Sequence, residues 1–283
     1  MRFSVLLLLF VTGFVNAQIA VTDDYGHTLQ LAAPAARIVS LSPHLTELLY
    51  AAGAGVRVVG AVDFSDYPRE AAALPRVGGD AGIDLEAVLA LRPDLVVAWP
   101  NAGSLRAVNR LAGLGLPVFR SEPRELEHIA STLERLGLLA GTQAQAAQAA
   151  ASFRSRAAEL ERRYAGRAKV RVYYQVWDRP LLTVNGDHLI SKVMRLCGGE
   201  NVFAALPLIA PDIDREAVLR ADPEVIVTSG SGLDSWKAFP GLAAAASGQL
   251  HYIPAALIQR HTPRLLEGAE RLCEVLDSVR RAR

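Results

Sequence analysis

Aromatic and basic side chains gather in this sequence where short apolar runs give out. They are Phe64 and Tyr67 within Asp63-Phe64-Ser65-Asp66-Tyr67-Pro68, Trp99 closing Leu95–Trp99, Trp177 ahead of Asp178-Arg179, and Arg260-His261 after the last such run. Open α/β sheets hold ligands outside the carboxyl ends of their strands, and apolar walls with a few polar groups suit a cofactor-sized molecule. The chemistry such a set can do is recognition. Reaction chemistry lacks its parts: there is no nucleophile elbow, no phosphate-binding loop and no paired-histidine zinc helix. Gly53-Ala54-Gly55 begins a dinucleotide-like pattern but has Val58 at the third glycine position, and it follows a helix where the fingerprint follows a strand. His44 and Glu47 stand one helical turn apart without a second histidine pair, so His44 reads as a helix-start residue. The other histidines, at 27, 128, 188, 251 and 261, are scattered singly, and Trp236 in a Ser-rich loop reads as a surface residue of its lobe.

The elements that must position these side chains alternate. Strands are expected at Arg37–Ser42, Val56–Val62, Leu95–Trp99 and Val118–Arg120, after a polar leader strand over Ile19–Leu31. Helices are expected at Thr46–Ala52, Asp84–Leu91, Leu105–Leu114 and Glu125–Leu139. The alternation restarts after Gly166 with strands at Val170–Val176, Val225–Ser229 and Tyr252–Ile253 and helices at Leu189–Cys197, Asp214–Leu219 and Pro263–Arg280. Between the two halves, Thr142–Tyr164 runs for 23 residues without Gly or Pro and opens on a capping Thr. At about 1.5 Å per residue it forms one helix of roughly 34 Å. The fold class is therefore α/β, with two Rossmann-like lobes of mainly parallel sheet joined by one long rigid helix. The division is an N-terminal lobe over 18–140, a connecting helix over 141–166 and a C-terminal lobe over 167–283.

A repeat supports two lobes. DLEAVLALRPDLVVA from Asp84 and DREAVLRADPEVIVT from Asp214 agree at seven of fifteen positions without a gap, each reading as capped helix, proline stop and strand. A pseudo-twofold follows, with Glu86 and Glu216 at equivalent helix-start positions.

Residues 1–17 read as a cleaved secretory signal: Arg2, an apolar run from Val5 to Val15, then Val15 and Ala17 at the small-residue positions. No Cys follows the apolar run, which argues against a lipid anchor, and the mature chain is expected to begin at Gln18 in an exported compartment. There an even count of two cysteines pairs, so Cys197 and Cys273 are expected to be bridged. Thirty Lys plus Arg against 29 Asp plus Glu give a formal charge of +1, which excludes a nucleic-acid partner in the ordinary sense.

With these residues in view, the sequence resembles the helical-backbone substrate-binding proteins of ABC importers for metal chelates. The resemblance covers almost all of residues 37 to 280 and rests on LSPHLTELLYAAG, FSDYP, DLEAVLALRPDLVVAW, LCGGENVF at Leu196–Phe203, DREAVL and the RLC of the last helix. It implies a periplasmic binding protein without catalytic residues, cofactor or protein-bound metal. Its transported ligand would be cobalamin or a related corrinoid, and the alternative within the family is haem or a ferric siderophore. An exported hydrolase or metal enzyme is the disfavoured reading from another class. The resemblance puts Phe64, Trp99 and Arg260 at ligand-contacting positions, and Tyr67 and Trp177 join them as candidates from their own places in the loops after apolar runs. Asp80, Ala210, Val176 and Leu182 stand where the family's corrinoid binder has aromatics, and Ala256 where it has an acid, so Trp177 is expected to replace part of that surface. It also implies that Glu86 and Glu216 dock onto arginines of a permease dimer served by ATPase subunits, that Cys197 and Cys273 form the family's disulfide, and that the protein is a monomer.

Overall fold

The computed structural model describes residues 18–79, 81–101 and 103–283; the leader expected over residues 1–17 and the candidate Asp80 lie outside them. The expected leader strand is a hairpin, β1 (Ile19–Thr22) against β2 (Thr28–Leu31). Its turn forms because the Asp23 carboxylate accepts the amides of Tyr25 at 2.9 Å and His27 at 2.8 Å, while Gly26 takes φ +81.

The N-terminal lobe continues through β3 (Ile38–Ser40), α1 (Pro43–Ala51), β4 (Val58–Ala61), the short pair β5 (Gly78–Gly79) and β6 (Gly82–Ile83), α2 (Leu85–Ala90), β7 (Leu95–Ala98), α3 (Leu105–Gly113), β8 (Val118–Arg120) and α4 (Leu126–Ala140). Its four-stranded sheet is parallel throughout, in the order β4-β3-β7-β8. The strand expected over Val56–Val62 starts late, because Gly55–Arg57 closes a 3₁₀ turn in which the Arg57 amide reaches the Ala54 carbonyl at 2.9 Å.

The connecting helix α5 spans Gln143–Tyr164. It buries Ala146, Ala150, Phe153, Leu160 and Tyr164, a narrow face whose alanine end lets α4 approach closely. A Cβ built at Gly137 of α4 would fall 2.2 Å from the Ala146 Cβ, so this crossing requires glycine. The expected Thr142 cap does not form: its side chain makes no capping bond, and its hydroxyl is buried without a partner. The helix is instead tied sideways, Arg154 to Glu127 and Glu134 of α4 and Arg156 to Glu270 across the lobes at 3.1 Å.

The C-terminal lobe follows with β9 (Val170–Gln175), the tight hairpin β10 (Trp177–Asp178) and β11 (Leu181–Leu182), α6 (Leu189–Leu196), β12 (Gly199–Asn201), α7 (Arg215–Ala221), β13 (Val225–Thr228), α8 (Ala243–Ala246), β14 (Leu250–Tyr252), α9 (Ala255–Ile258) and α10 (Leu265–Arg281). Sequence reading missed β10, β11 and β12, whose runs of two or three residues are too short to carry a period. The second sheet, β12-β9-β13-β14, is again all parallel. Read in the order its strands leave the chain, each lobe's sheet runs second, first, third, fourth. The repeated segments are α2 with β7 and α7 with β13, equivalent places in both sheets, so the internal repeat is a repeat of topology as well as of sequence.

One continuous core cluster passes from Leu45 and Leu49 through Phe153 and Leu160 of α5 to Leu272 and Leu276 of α10, and a smaller cluster covers the far face of each sheet. Cys197 at the end of α6 and Cys273 in α10 form a disulfide, both fully buried in that core, as the export argument expects. No helix among the described residues is long and apolar enough to cross a membrane.

Candidate functional site

Three strand ends of the N-terminal lobe build a hollow. β4 runs into the turn carrying Phe64, β7 delivers Trp99, and β3 leads into Leu41 and Ser42 at the start of α1. The cavity there measures about 300 Å³ and is lined by Ser42, Asp63, Phe64, Trp99, Asn101 and Ser104 among others, with no Lys or Arg in its lining among the described residues. The loop after Trp99 is preset: the Asn101 side-chain oxygen accepts the amides of Gly103 and Ser104, each at 3.0 Å, and the Ser104 hydroxyl donates to the Trp99 carbonyl at 2.7 Å.

Phe64 is 66% exposed and sits at φ 60, a left-handed conformation that costs a bulky residue of order 1 kcal/mol or more and persists only where surrounding contacts hold it. Those contacts come from both lobes. Beneath the turn, the buried Ser65 hydroxyl bonds Thr46 at 3.1 Å and Thr46 bonds Ser40 at 2.9 Å. From the other lobe, Arg260 donates Nη2 to the Phe64 carbonyl at 3.0 Å and Nη1 to Asp66 at 2.6 Å and to Glu47 at 2.8 Å. Arg264 lays its guanidinium 3.9 Å from the centre of the Tyr67 ring. Burial opposes ionisation of Asp66, but the hydrogen bond and charge of Arg260 outweigh it and hold the carboxyl below its usual range. On Arg260 the balance is the same: burial lowers its affinity for the proton, Asp66 and Glu47 raise it, and the guanidinium stays charged.

The histidines that the sequence scatters converge in the fold. The rings of His188 and His261 lie 5.8 Å apart, those of His261 and His44 6.2 Å apart, and His44 meets Trp99 beyond them. His44 shares a 2.7 Å hydrogen bond between Nδ1 and the Ser42 hydroxyl, and its Nε2 is buried without a partner. His188 caps α6 by accepting the Ile190 amide at 3.1 Å. Burial drives all three down, His44 to about 3 with help from the charges of His261 and Arg260, and His188 and His261 to about 4. They are neutral at pH 7. Among the described residues no group of three His, Cys, Asp or Glu is arranged to hold a metal ion.

On the opposite lobe Trp177 opens the β10–β11 hairpin, 56% exposed, with its indole N–H donated to the Arg179 carbonyl at 3.1 Å. Trp236, expected at the surface, is fully buried: its indole donates to the Gln175 side chain at 2.7 Å and packs edge-on against Tyr173, because its 3₁₀ turn folds inward over the sheet. Sequence reasoning missed Glu47 and the histidine cluster, whose members come together only through the fold. The one available sign was Glu47 itself, an acid inside the apolar run LTELLY. A larger hollow of about 760 Å³ lies along α5, but it is walled by Arg154, Glu127, Lys192 and Glu125, which are already paired with one another, and it is not the place where the strand ends meet.

Glu86 and Glu216 are exposed in the first turns of α2 and α7, directly after the caps Asp84 and Asp214, which accept the Ala87 and Ala217 amides at 3.0 and 2.6 Å.

Comparison with known proteins agrees with this architecture. A family model described as periplasmic binding protein matches residues 38–257. The vitamin B12-binding protein of Yersinia pestis is 40% identical over 256 residues, 89% of this chain and 90% of that one. The crystal structure of the periplasmic vitamin B12 binding protein BtuF of Vibrio cholerae matches with a TM-score of 0.82 at 36% identity, covering 87% of this chain and 98% of that one. The periplasmic haem-binding protein BhuT in complex with two haems shares the fold, with a TM-score of 0.77 at 22% identity over 87% of this chain and 99% of its own.

Proposed function

The chain belongs to the periplasmic binding protein family, and from that premise we propose that it captures cobalamin or a closely related corrinoid between its lobes and hands it to the permease of an ABC importer. Members of this family bind and deliver and are not enzymes. The observation that carries the choice of ligand is the charge of the cleft. Its aromatic cavity has no cation in its described lining, the nearby guanidinium groups of Arg260 and Arg264 are paired with Glu47 and Asp66, and its three histidines are uncharged. Haem presents carboxylates, and anionic siderophore chelates carry net negative charge, which in such a site would be desolvated without partners. A corrin rimmed by neutral amides meets no such penalty, and Phe64 and Trp99 offer it flat apolar faces. Tyr67, Trp177, Arg260 and, outside the described residues, Asp80 complete the proposed ligand-facing set.

The same reading assigns Glu86 and Glu216 to a permease dimer that works with ATPase subunits, with the binding protein acting as a monomer. It places residues 1–17 as a leader removed on export to the periplasm, and divides the mature chain into lobes 18–140 and 167–283 about the helix of 141–166. Calorimetric titration with cyanocobalamin and, separately, with haemin tests it. Saturable binding of cyanocobalamin with weak or no haemin binding is expected, and the reverse preference would overturn the ligand assignment.

A further inference from the structure

Glu47 has no place in the ligand site as described, yet it is the most heavily engaged acid at the seam. It lies on α1 of the N-terminal lobe with its side chain only 2% exposed, and its hydrogen-bond donors all come from one segment of the other lobe. Arg260 donates to Oε1 at 2.8 Å, Arg264 to Oε1 at 3.5 Å and the Thr262 hydroxyl to Oε2 at 3.1 Å. That segment is rooted in its own lobe, since Gln259 donates to Ser229, whose hydroxyl also bonds Tyr174 at 2.6 Å. One carboxylate therefore gathers residues 260 to 264. What it gathers is then passed back, because the guanidinium held by Glu47 also grips Asp66 and the Phe64 carbonyl.

We propose that Glu47 is a positioning residue: by fixing Arg260, it latches the two lobes together and holds the Phe64 turn in its left-handed conformation with the ring presented to the cleft. Charge-assisted bonds to a buried carboxylate are short and directional, which is what a latch requires and a solvated surface pair lacks. The four groups Glu47, Asp66, Arg260 and Arg264 balance in charge, so removing the central one leaves Arg260 with Asp66 alone and Arg264 without an acid among the contacts described. Two guanidinium groups on one side of the seam are then left with a single acid opposite them.

The proposal rests on the cleft being the ligand site, so its test has two readouts. Nitroxide labels at Val56→Cys and Asp234→Cys, exposed positions on opposite lobes, report the interlobe distance in ligand-free protein. The parent should give one narrow distribution and Glu47→Gln a broader or longer one; indistinguishable distributions overturn the latch. Affinity for cyanocobalamin is then measured for Glu47→Gln in the parent and in a Phe64→Ala background. A loss of roughly tenfold in the parent that shrinks to within about twofold without the Phe64 ring is the signature of a residue acting through Phe64. Equal losses in both backgrounds overturn that role, because a general structural defect would weaken both. If Phe64→Ala alone binds like the parent, the ligand-site reading fails while the distance measurement still decides the latch. Should Glu47→Gln not fold, Asp66→Asn, which loosens only the turn, goes through the affinity comparison, and Glu47→Asp, which keeps the charge but shortens the reach, goes through both.

Discussion

His44 and Trp99 meet edge to face, their ring centres 5.6 Å apart and their planes inclined at 75°. The contact fixes the indole against α1 and leaves its other surface toward the cavity, 37% of the residue remaining exposed. A corrin seated there would absorb indole emission, so tryptophan fluorescence should fall saturably on titration with cyanocobalamin. Trp99→Ala should weaken binding by roughly fivefold to a hundredfold, on stacking and burial terms of about 1 to 3 kcal/mol. Parent-like affinity in that variant would move the site elsewhere.

The histidine cluster makes stability depend on acidity. Burial holds His44 at about 3 and His188 and His261 at about 4 in the folded protein, whereas an unfolded imidazole titrates near 6.5. Between those values the unfolded chain takes up protons that the folded chain refuses. The stabilisation is therefore complete above about pH 6.5 and is lost as pH falls toward 4, by roughly 1.4 kcal/mol per pH unit for each residue. Melting temperature should drop between pH 7 and pH 5. His188→Asn, which retains a capping side chain, should reduce that slope by about a third. A parent profile without that fall, or a fall that His188→Asn leaves unchanged, would rule out this contribution from the cluster.

The disulfide closes a loop between positions 76 apart. In the chain-entropy account its loss costs about 4 kcal/mol, so Cys197→Ser with Cys273→Ser should melt roughly 10 °C lower. Alkylation of the unreduced protein should label neither position. Labelling of both would show that the bridge does not form in the exported protein.

Glu86 and Glu216 each satisfy the dipole of a helix start, an effect worth about 0.3 to 1 kcal/mol that needs no partner. The docking role proposed above draws on their equivalence across the two lobes, which would match a symmetric receptor with one acid for each permease subunit. Replacing both by Gln should abolish or sharply reduce transport through the cognate importer, with ligand affinity and melting temperature nearly unchanged. Undiminished transport would leave them as helix-start acids only.

The sheets, the long helix and the repeat were legible in the sequence because each imposes a period: buried parallel strands give continuous apolar runs, and α5 gives an unbroken stretch of helix formers. The two-residue strands around Trp177 and the inward fold of Trp236 have no period to read. Phe64 and Trp99 could be proposed from their places at strand ends, and both do line the cavity. Arg260 could be named, but not its partners, since Glu47 lies 213 positions away and Asp66 lies 194 away. Nothing local marks such a pairing. The histidines fail for the same reason: His44, His188 and His261 each look solitary until two lobes are brought face to face.

Each sheet comes from one uninterrupted stretch of chain, and the chain crosses between the lobes once in regular structure, along α5. A polypeptide emerging N-terminus first can therefore complete its first sheet before any strand of the second exists. The mouth between the lobes has the opposite schedule. Arg260, Thr262 and Arg264 all stand just ahead of α10, so Glu47 waits without these donors until almost the whole chain has been delivered. The interlobe contacts of Glu47 are thus among the last this molecule acquires, and a product truncated before residue 260 would carry a first lobe whose buried carboxylate has none of these donors.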